Sequence, residues 1–164
     1  LRLELIADRK VRGQPHLDAL MKSLSEIVDF TKSTGISLGF ENRFHYYELP
    51  IYNELETILL EFQQPWVGWQ FDVGHLQVHN ALGVMNFCEW LEHFGRRIIG
   101  VHLHDVQGLV DHRSPGSGDV DFRLVAAHLP AHAHRTLEVD KSLTFEQVHL
   151  GMETLVAAGC VIRL

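Results

Sequence analysis

Cysteine is scarce in this chain. Cys88 and Cys160 are the whole supply in 164 residues, and each falls within an apolar pattern. Two thiols so placed provide neither a disulfide framework nor a Cys-type zinc site, and they suit a reducing compartment. No apolar run approaches the roughly 18 residues needed to span a bilayer. No signal-peptide pattern is legible either, so the expected location is cytoplasmic, with no membrane partner. An excess of positive charge is also missing. Fourteen Lys and Arg stand against 21 Asp and Glu, a formal charge of −7. That balance argues against a surface built mainly for nucleic-acid phosphates. There is no exact internal repeat, no low-complexity tract and no phosphate-binding motif.

What is present has the composition of a globular protein: 46% apolar and 21% charged residues. The length suffices for one domain with a real core, and residues 1–164 are read as a single domain. The chain opens on Leu1 rather than methionine and stops at Leu164, just after a strand-like Cys160-Val161-Ile162. It is therefore expected to be part of a longer polypeptide.

Leu1 to Pro15 carry no decisive pattern. After them, short apolar runs alternate with amphipathic stretches. Leu17, Leu20, Met21, Leu24, Ile27 and Val28 fall at helical spacing, with Gly35 as a C-terminal stop. A strand over Ile36–Phe40 ends in Glu41-Asn42-Arg43. A helix with Leu55, Ile58, Leu59 and Phe62 on one face closes near Pro65. Trp66–Phe71 reads as a strand ending in Asp72-Val73-Gly74-His75, with Trp66 and Trp69 read as packing. A helix over 81–94 leads to a strand at Ile98–Leu103, which ends in His104-Asp105. A short helix near Phe122–His128 precedes a strand at Arg135–Val139 that carries Glu138. The last helix spans Phe145–Ala158, capped by Thr144 or Ser142. Four strand-then-helix units in series imply a parallel sheet with helices outside it. In such folds chemistry gathers at the C-terminal ends of the strands.

Those ends carry Glu41, Asp72 with His75, His102, and Glu138. Three carboxylates and one imidazole from adjacent strands can converge on one divalent ion. An oxygen-rich set of this kind favours Mn²⁺, Mg²⁺ or Co²⁺ and also admits Zn²⁺. Each residue has a plainer reading. Glu41 and Glu138 could be solvated strand-end glutamates. Asp72-Val73-Gly74-His75 could be an Asp-capped turn in which Gly74 supplies an unusual backbone angle. His102, alternating with Val101 and Leu103, could be a core histidine.

The segments GFEN (39–42), FDVGH (71–75), VHLHD with the following PGSGDVDF (101–122), and LEVD (137–140) resemble the xylose-isomerase-like TIM barrels. That superfamily includes sugar-phosphate isomerases/epimerases, ketose 3-epimerases, hydroxypyruvate isomerases, inosose dehydratases and class II AP endonucleases. The resemblance runs from about residue 17 to the end. It implies an α/β fold of the (β/α)8 TIM-barrel type, of which this chain covers about the last four β/α units. An open half-barrel of this kind is expected to expose sheet edges and inner apolar surface. The family's metal ligands fall on Glu41, Asp72, His102 and Glu138, with Glu41 and Glu138 also as the paired catalytic acid/base. His75 matches a histidine that contacts substrate in epimerases and binds metal in the endonucleases. His112 matches a substrate-binding arginine in ketose epimerases and a metal-binding histidine in the endonucleases; its plainer reading is an exposed turn histidine beside Arg113. His104 and Asp105 would anchor the following loop or orient His102. The loop from Gly108 to Gly118 would form a partly mobile lid, with Gly116 and Gly118 suited to it.

The resemblance thus implies a divalent-metal-dependent isomerase or epimerase. It would act on a sugar or related polyhydroxy carbonyl compound through an enediolate. A homo-oligomer is compatible with such a fold. Three alternatives stand beside this reading: a dehydratase or lyase on the same site, an endonuclease-like DNA repair enzyme, and an inactive barrel half. The endonucleases use an aspartate two residues before the His112 position; here that residue is Val110, with Asp111 one residue off. This departure and the acidic charge both weigh against the repair reading, so no nucleic-acid partner is expected.

Overall fold

Four short strands with alternating side chains set the architecture of the computed structural model, which describes residues 2–162. In chain order the elements are α1 (Arg2–Thr31), β1 (Leu38–Glu41), α2 (Tyr52–Glu61), β2 (Val67–Asp72), α3 (Val73–Ala81), α4 (Phe87–Phe94), β3 (Ile98–Leu103), β4 (Asp105–Gln107), β5 (Val110–Arg113), α5 (Phe122–His128), β6 (His134–Leu137) and α6 (Phe145–Ala158). Strands β1, β2, β3 and β6 pair in that order, all parallel, while β4 and β5 form a separate antiparallel hairpin. The fold is α/β with the strand-and-helix order of a partial TIM barrel.

Alternation sorts the two faces of the sheet. Trp69 and Phe71 of β2 and Val101 and Leu103 of β3 are buried with apolar residues of α2, α3, α4, α5 and α6. Leu17, Leu24 and Val28 of α1 pack on Ile58, Phe62 and Val67 in a second cluster, against which Trp66 lies. Parallel strands usually need cover on both faces. The opposite face here carries Gly39, Gln70, Gly100 and Thr136, one layer below the strand ends. Inner apolar surface was expected; these four positions are small or polar instead. Gln70 lies across Gly100, where an added Cβ would sit 2.1 Å from Gln70 Oε1. The sheet edges at β1 and β6 are open among the described residues.

Several boundaries differ from the sequence reading. The undecided first fifteen residues are helical, and α1 runs through both Gly13 and Pro15. This part of α1 docks through Arg9 rather than through an apolar stripe, which explains why no periodicity marks it. Arg9 is buried, donates from Nη2 to Glu54 Oε2 (2.8 Å) and to the Glu48 carbonyl (2.7 Å), and meets Glu54 Oε1 through Nη1. A Cβ at Gly13 would lie 2.9 Å from Arg9 Nη1. The helix expected over 81–94 begins only at Phe87, where Asn86 caps α4, and an unexpected helix, α3, precedes it over 73–81 and ends before Gly83 (φ 63°). The Asp72 turn opens directly into α3, which Asp72 caps by accepting from the His75 amide.

Strands β1, β2 and β6 sit one or two residues from their expected bounds, which places Glu138 just beyond β6. Cys160–Ile162 form no strand; Arg163 and Leu164, where the chain ends, and Leu1 lie outside the described residues. Cys160 is instead fully buried, donating from Sγ to the Phe122 carbonyl, and burial pushes its thiol up to about 11. Strand β3 and helices α5 and α6 match their expected bounds, and Thr144 rather than Ser142 caps α6. No helix among the described residues is long and apolar enough to cross a membrane.

The Arg9–Glu54 pair supports a first prediction. Arg9→Ala strands a buried carboxylate and should cost about 3–5 kcal/mol in urea unfolding. Arg12→Ala, which removes the exposed pair with Asp8, should cost under about 1 kcal/mol.

Candidate metal centre

Asn42, buried directly after β1, ties the ends of β1 and β2 together. Its Oδ1 accepts from Trp69 Nε1 and from the Asp72 amide, both at 2.9 Å. Its Nδ2 donates to the Asp72 carbonyl at 2.8 Å, and its own carbonyl accepts from His75 Nδ1 at 3.0 Å. A carbonyl only accepts, so His75 Nδ1 carries the proton and Nε2 of the neutral ring keeps a lone pair. Asn42 belongs to the GFEN segment, whose sequence alone assigns it no role. Its position immediately after a strand-end glutamate was the available signal.

Asp72 is 0% exposed. Its Oδ1 accepts from the His75 amide (2.7 Å) and contacts His104 Nε2 (3.0 Å). The His112 amide donates to His104 Nδ1 at 2.9 Å, so that nitrogen is unprotonated and Nε2–H is the donor toward Asp72. Gly74 has ordinary helical geometry, contrary to the expected unusual angle. It is needed for space, since a Cβ there would lie 2.1 Å from His104 Cε1. Burial alone would raise the Asp72 carboxyl. Contacts from His102 and His104 outweigh it and hold the group well below the usual carboxylate range.

Asp72 Oδ2 has no hydrogen bond, and neither do the buried His102 Nδ1 and Glu138 Oε2. These atoms meet one another. His102 Nδ1 lies 2.6 Å from Glu138 Oε2, 3.2 Å from Glu41 Oε1 and 3.5 Å from Asp72 Oδ2. None of these contacts has hydrogen-bond geometry. The structure therefore brings Glu41, Asp72, His102 and Glu138 together at the ends of β1, β2, β3 and β6. Buried ligand-type atoms without partners, in a set of three carboxylates and one imidazole, fit a divalent cation. Glu41, Asp72 and His102 each offer a ligand atom within 4.8 Å of the others. The Asp72 carboxylate beside His102 raises the imidazole's pKa against the effect of burial, with Glu138 and Glu41 adding to the rise. Arg43, which had no assigned role, contacts Glu41 Oε2 and leaves Oε1 toward His102.

A second group gathers beside the first. His75, His104 and His112 lie close enough to share an ion, but both His104 nitrogens are already engaged. The freer partners there are His75 Nε2 and His112 Nδ1, at 3.8 and 3.1 Å from Asp111 Oδ2. Asp111, set aside from sequence as one residue off, thus faces both histidines. His112 Nε2 lies 3.6 Å from Glu138 Oε1. The plainer reading of His112, an exposed turn, does not hold: it is half-buried in β5.

The loop after β3 is pinned at several points, unlike the expected mobile lid. Asp105 Oδ1 accepts from the Val106 and Val120 amides, and Oδ2 accepts from the Gly116 and Gly118 amides. Gly118 permits this close approach, because a Cβ would fall 2.1 Å from the Val106 carbonyl oxygen. Asp105 therefore holds the loop through four backbone amides.

Residues 7–140 match the family described as xylose isomerase-like TIM barrel. An uncharacterised protein of Methanocaldococcus jannaschii, MJ1311, is 36% identical over 109 residues, covering 65% of this chain and 36% of that protein. A D-tagatose 3-epimerase-like protein of known structure is similar with a TM-score of 0.64 at 27% identity, over 87% of this chain and 54% of its own. The IolI protein, solved with a zinc atom, gives 0.64 at 19% identity, over 83% of this chain and 53% of its own. The 3-keto-D-glucoside 4-epimerase YcjR of E. coli gives 0.66 at 16% identity, over 86% and 53%. These last two likenesses show the fold alone. The chain spans about half the length of these solved proteins and about a third of the archaeal one.

The geometry predicts how an ion should bind. His102 must lose its proton to offer Nδ1, so Mn²⁺ affinity should fall as pH drops through the raised His102 pKa. Calorimetry in buffers of different ionisation enthalpy should show proton release on binding. Asp72→Asn should weaken Mn²⁺ binding at least about 100-fold, the upper end of what supporting residues cost.

Proposed function

The chain belongs to the xylose isomerase-like TIM barrel family, and on that footing we propose that it carries the metal-binding and acid/base residues of a sugar isomerase or epimerase. The substrate would be a sugar or related polyhydroxy carbonyl compound, and the reaction would pass through an enediolate. The observation that supports this most is the convergence of Asp72 Oδ2, His102 Nδ1 and Glu138 Oε2, all without hydrogen bonds, beside Glu41 Oε1.

Glu41, Asp72, His102 and Glu138 would hold a divalent ion, with Mn²⁺, Mg²⁺ or Co²⁺ favoured by the three carboxylates and Zn²⁺ also compatible. Such an ion supplies Lewis-acid stabilisation of negative charge developing on the substrate carbonyl and its neighbouring hydroxyl. The acid/base work falls to the two glutamates. Glu41 and Glu138 extend from the two outer strands of the sheet, with His102 between them. From those positions one takes the proton α to the carbonyl and the other returns a proton to the opposite face. Arg43 keeps Glu41 Oε2 occupied, so Oε1 is the oxygen available to the reaction. His75 Nε2, with its lone pair, accepts from a substrate hydroxyl. His112 stands beside Glu138 and contacts the substrate from the loop side.

The test is carbon-bound hydrogen exchange. The chain, with Mn²⁺ and a panel of ketoses in D2O, is followed by proton NMR. Deuterium should enter at the carbon next to the carbonyl. Glu138→Gln should slow that entry by about 10²–10⁴-fold while circular dichroism stays unchanged. An undiminished rate removes Glu138 from the mechanism. Release of water in place of an epimer would make the enzyme a dehydratase. A chain that binds no divalent metal would end the reading.

A further inference from the structure

Asp72 and the loop beyond β3 share one buried partner that the proposed chemistry does not use. His104 follows β3 directly, is 0% exposed, and engages a different element through each ring nitrogen. The backbone amide of His112 can only donate, so it fixes His104 Nδ1 as the acceptor (2.9 Å) and Nε2–H as the donor to Asp72 Oδ1 (3.0 Å). A buried histidine serving only as packing needs neither bond to be directed at a functional group. Here one goes to a candidate metal ligand and the other to the peptide of a residue that borders the same site.

The surroundings are shaped for this ring. Gly74 clears the space that a Cβ would take from His104 Cε1. The His112 ring stacks on it, with centroids 4.2 Å apart and planes 9° from parallel. His112 is also the only described non-glycine residue with positive φ, at 54°, a left-handed conformation that residues with a Cβ disfavour. In that conformation its amide reaches His104, and its carbonyl accepts from the Asp140 amide at 2.8 Å. Asp140 lies two residues beyond Glu138. A hydrogen-bonded path therefore runs from the Asp72 carboxylate through His104 and the His112 peptide to the segment that carries Glu138.

We propose that His104 is a positioning residue that couples Asp72 to the β4–β5 loop and, through it, to the Glu138 segment. Its Nε2–H holds Asp72 Oδ1 so that Oδ2 faces His102. Its Nδ1 holds the His112 peptide in its left-handed conformation. The two contacts do separable work, one on ion affinity and one on the loop. The affinity half rests on the metal reading above; the loop half does not.

The two contacts can be separated by substitution, because Asn places an acceptor near Nδ1 and Gln a donor near Nε2. His104→Asn, His104→Gln and His104→Phe are compared with the wild-type chain, with circular dichroism as the fold control. Amide hydrogen exchange over residues 109–114 is read without metal, and Mn²⁺ affinity is read by calorimetry. His104→Gln should hold Mn²⁺ within about 3-fold of wild type, while the loop exchanges at least about 10-fold faster. His104→Asn should keep loop exchange near wild type and weaken Mn²⁺ by about 10–100-fold, the range for supporting contacts. His104→Phe should lose both; if it fails to fold, the Asn and Gln pair still decides. Wild-type loop exchange in His104→Gln overturns the coupling, as does equal Mn²⁺ affinity in the wild type and His104→Asn. A wild-type chain that binds no Mn²⁺ overturns the metal reading and the affinity half together, and the loop exchange still decides the other half.

Discussion

Removing the Asp72 carboxylate from water costs several kcal/mol unless charge and hydrogen bonds replace its lost hydration. The surroundings meet that requirement unevenly. Oδ1 receives the His75 amide and the His104 ring, whereas Oδ2 receives no hydrogen bond and faces His102. One oxygen is thereby committed to holding the strand end in place, and the other is left to bind. Asn42 secures the same strand end from the neighbouring strand, through both the amide and the carbonyl of Asp72. The carboxylate is thus fixed in orientation before any ligand arrives, a form of preorganisation that binding sites need.

The charges around it make the same point at a larger scale. Glu41, Asp72 and Glu138 crowd one imidazole, and Arg43 touches only the outer oxygen of Glu41. Like charges this close disfavour one another, and a protonated His102 relieves them only in part. A divalent cation neutralises them more completely and satisfies the atoms left without hydrogen bonds. The layer below is built of Gly39, Gln70, Gly100 and Thr136. This polar floor leaves the strand ends as the charged rim of an open sheet face. The chain spans about half the length of the solved proteins it resembles.

The glycines of the loop beyond β3 illustrate how composition can mislead. Gly116 and Gly118 suggest mobility when read alone. In the folded chain their amides bind Asp105, and a side chain at Gly118 would strike the Val106 carbonyl. Gly74 was read as a source of backbone freedom and proves to be a source of space for His104. In both cases the reason for glycine lies in a neighbour distant in sequence.

Much of the fold was legible because it depends on local properties. Period-two alternation marks β3, and the 3.6-residue period and Thr144 cap mark α6, each within a single stretch of chain. The polar residues at the ends of four successive strands were visible in the same way, as was the family resemblance they carry. The first half of α1 was illegible because it is held by one ion pair to Glu54 rather than by a repeated apolar face. Asp111 faces His75 and His112 because it lies on the hairpin of β4 and β5 beside them, a placement its position in the sequence does not show. The sequence by itself determined the alternation of the four sheet strands with helices, the parallel sheet and the residue types at the strand ends, but not α3 or the hairpin of β4 and β5. Only the tertiary structure decided which oxygen of Asp72 is free, which nitrogen of His104 is protonated and why Gly74 is glycine. Those choices depend on groups brought together from separate elements, such as Asp72 and His104, thirty-two residues apart, and buried polar groups take their partners from proximity in space, which no local pattern encodes.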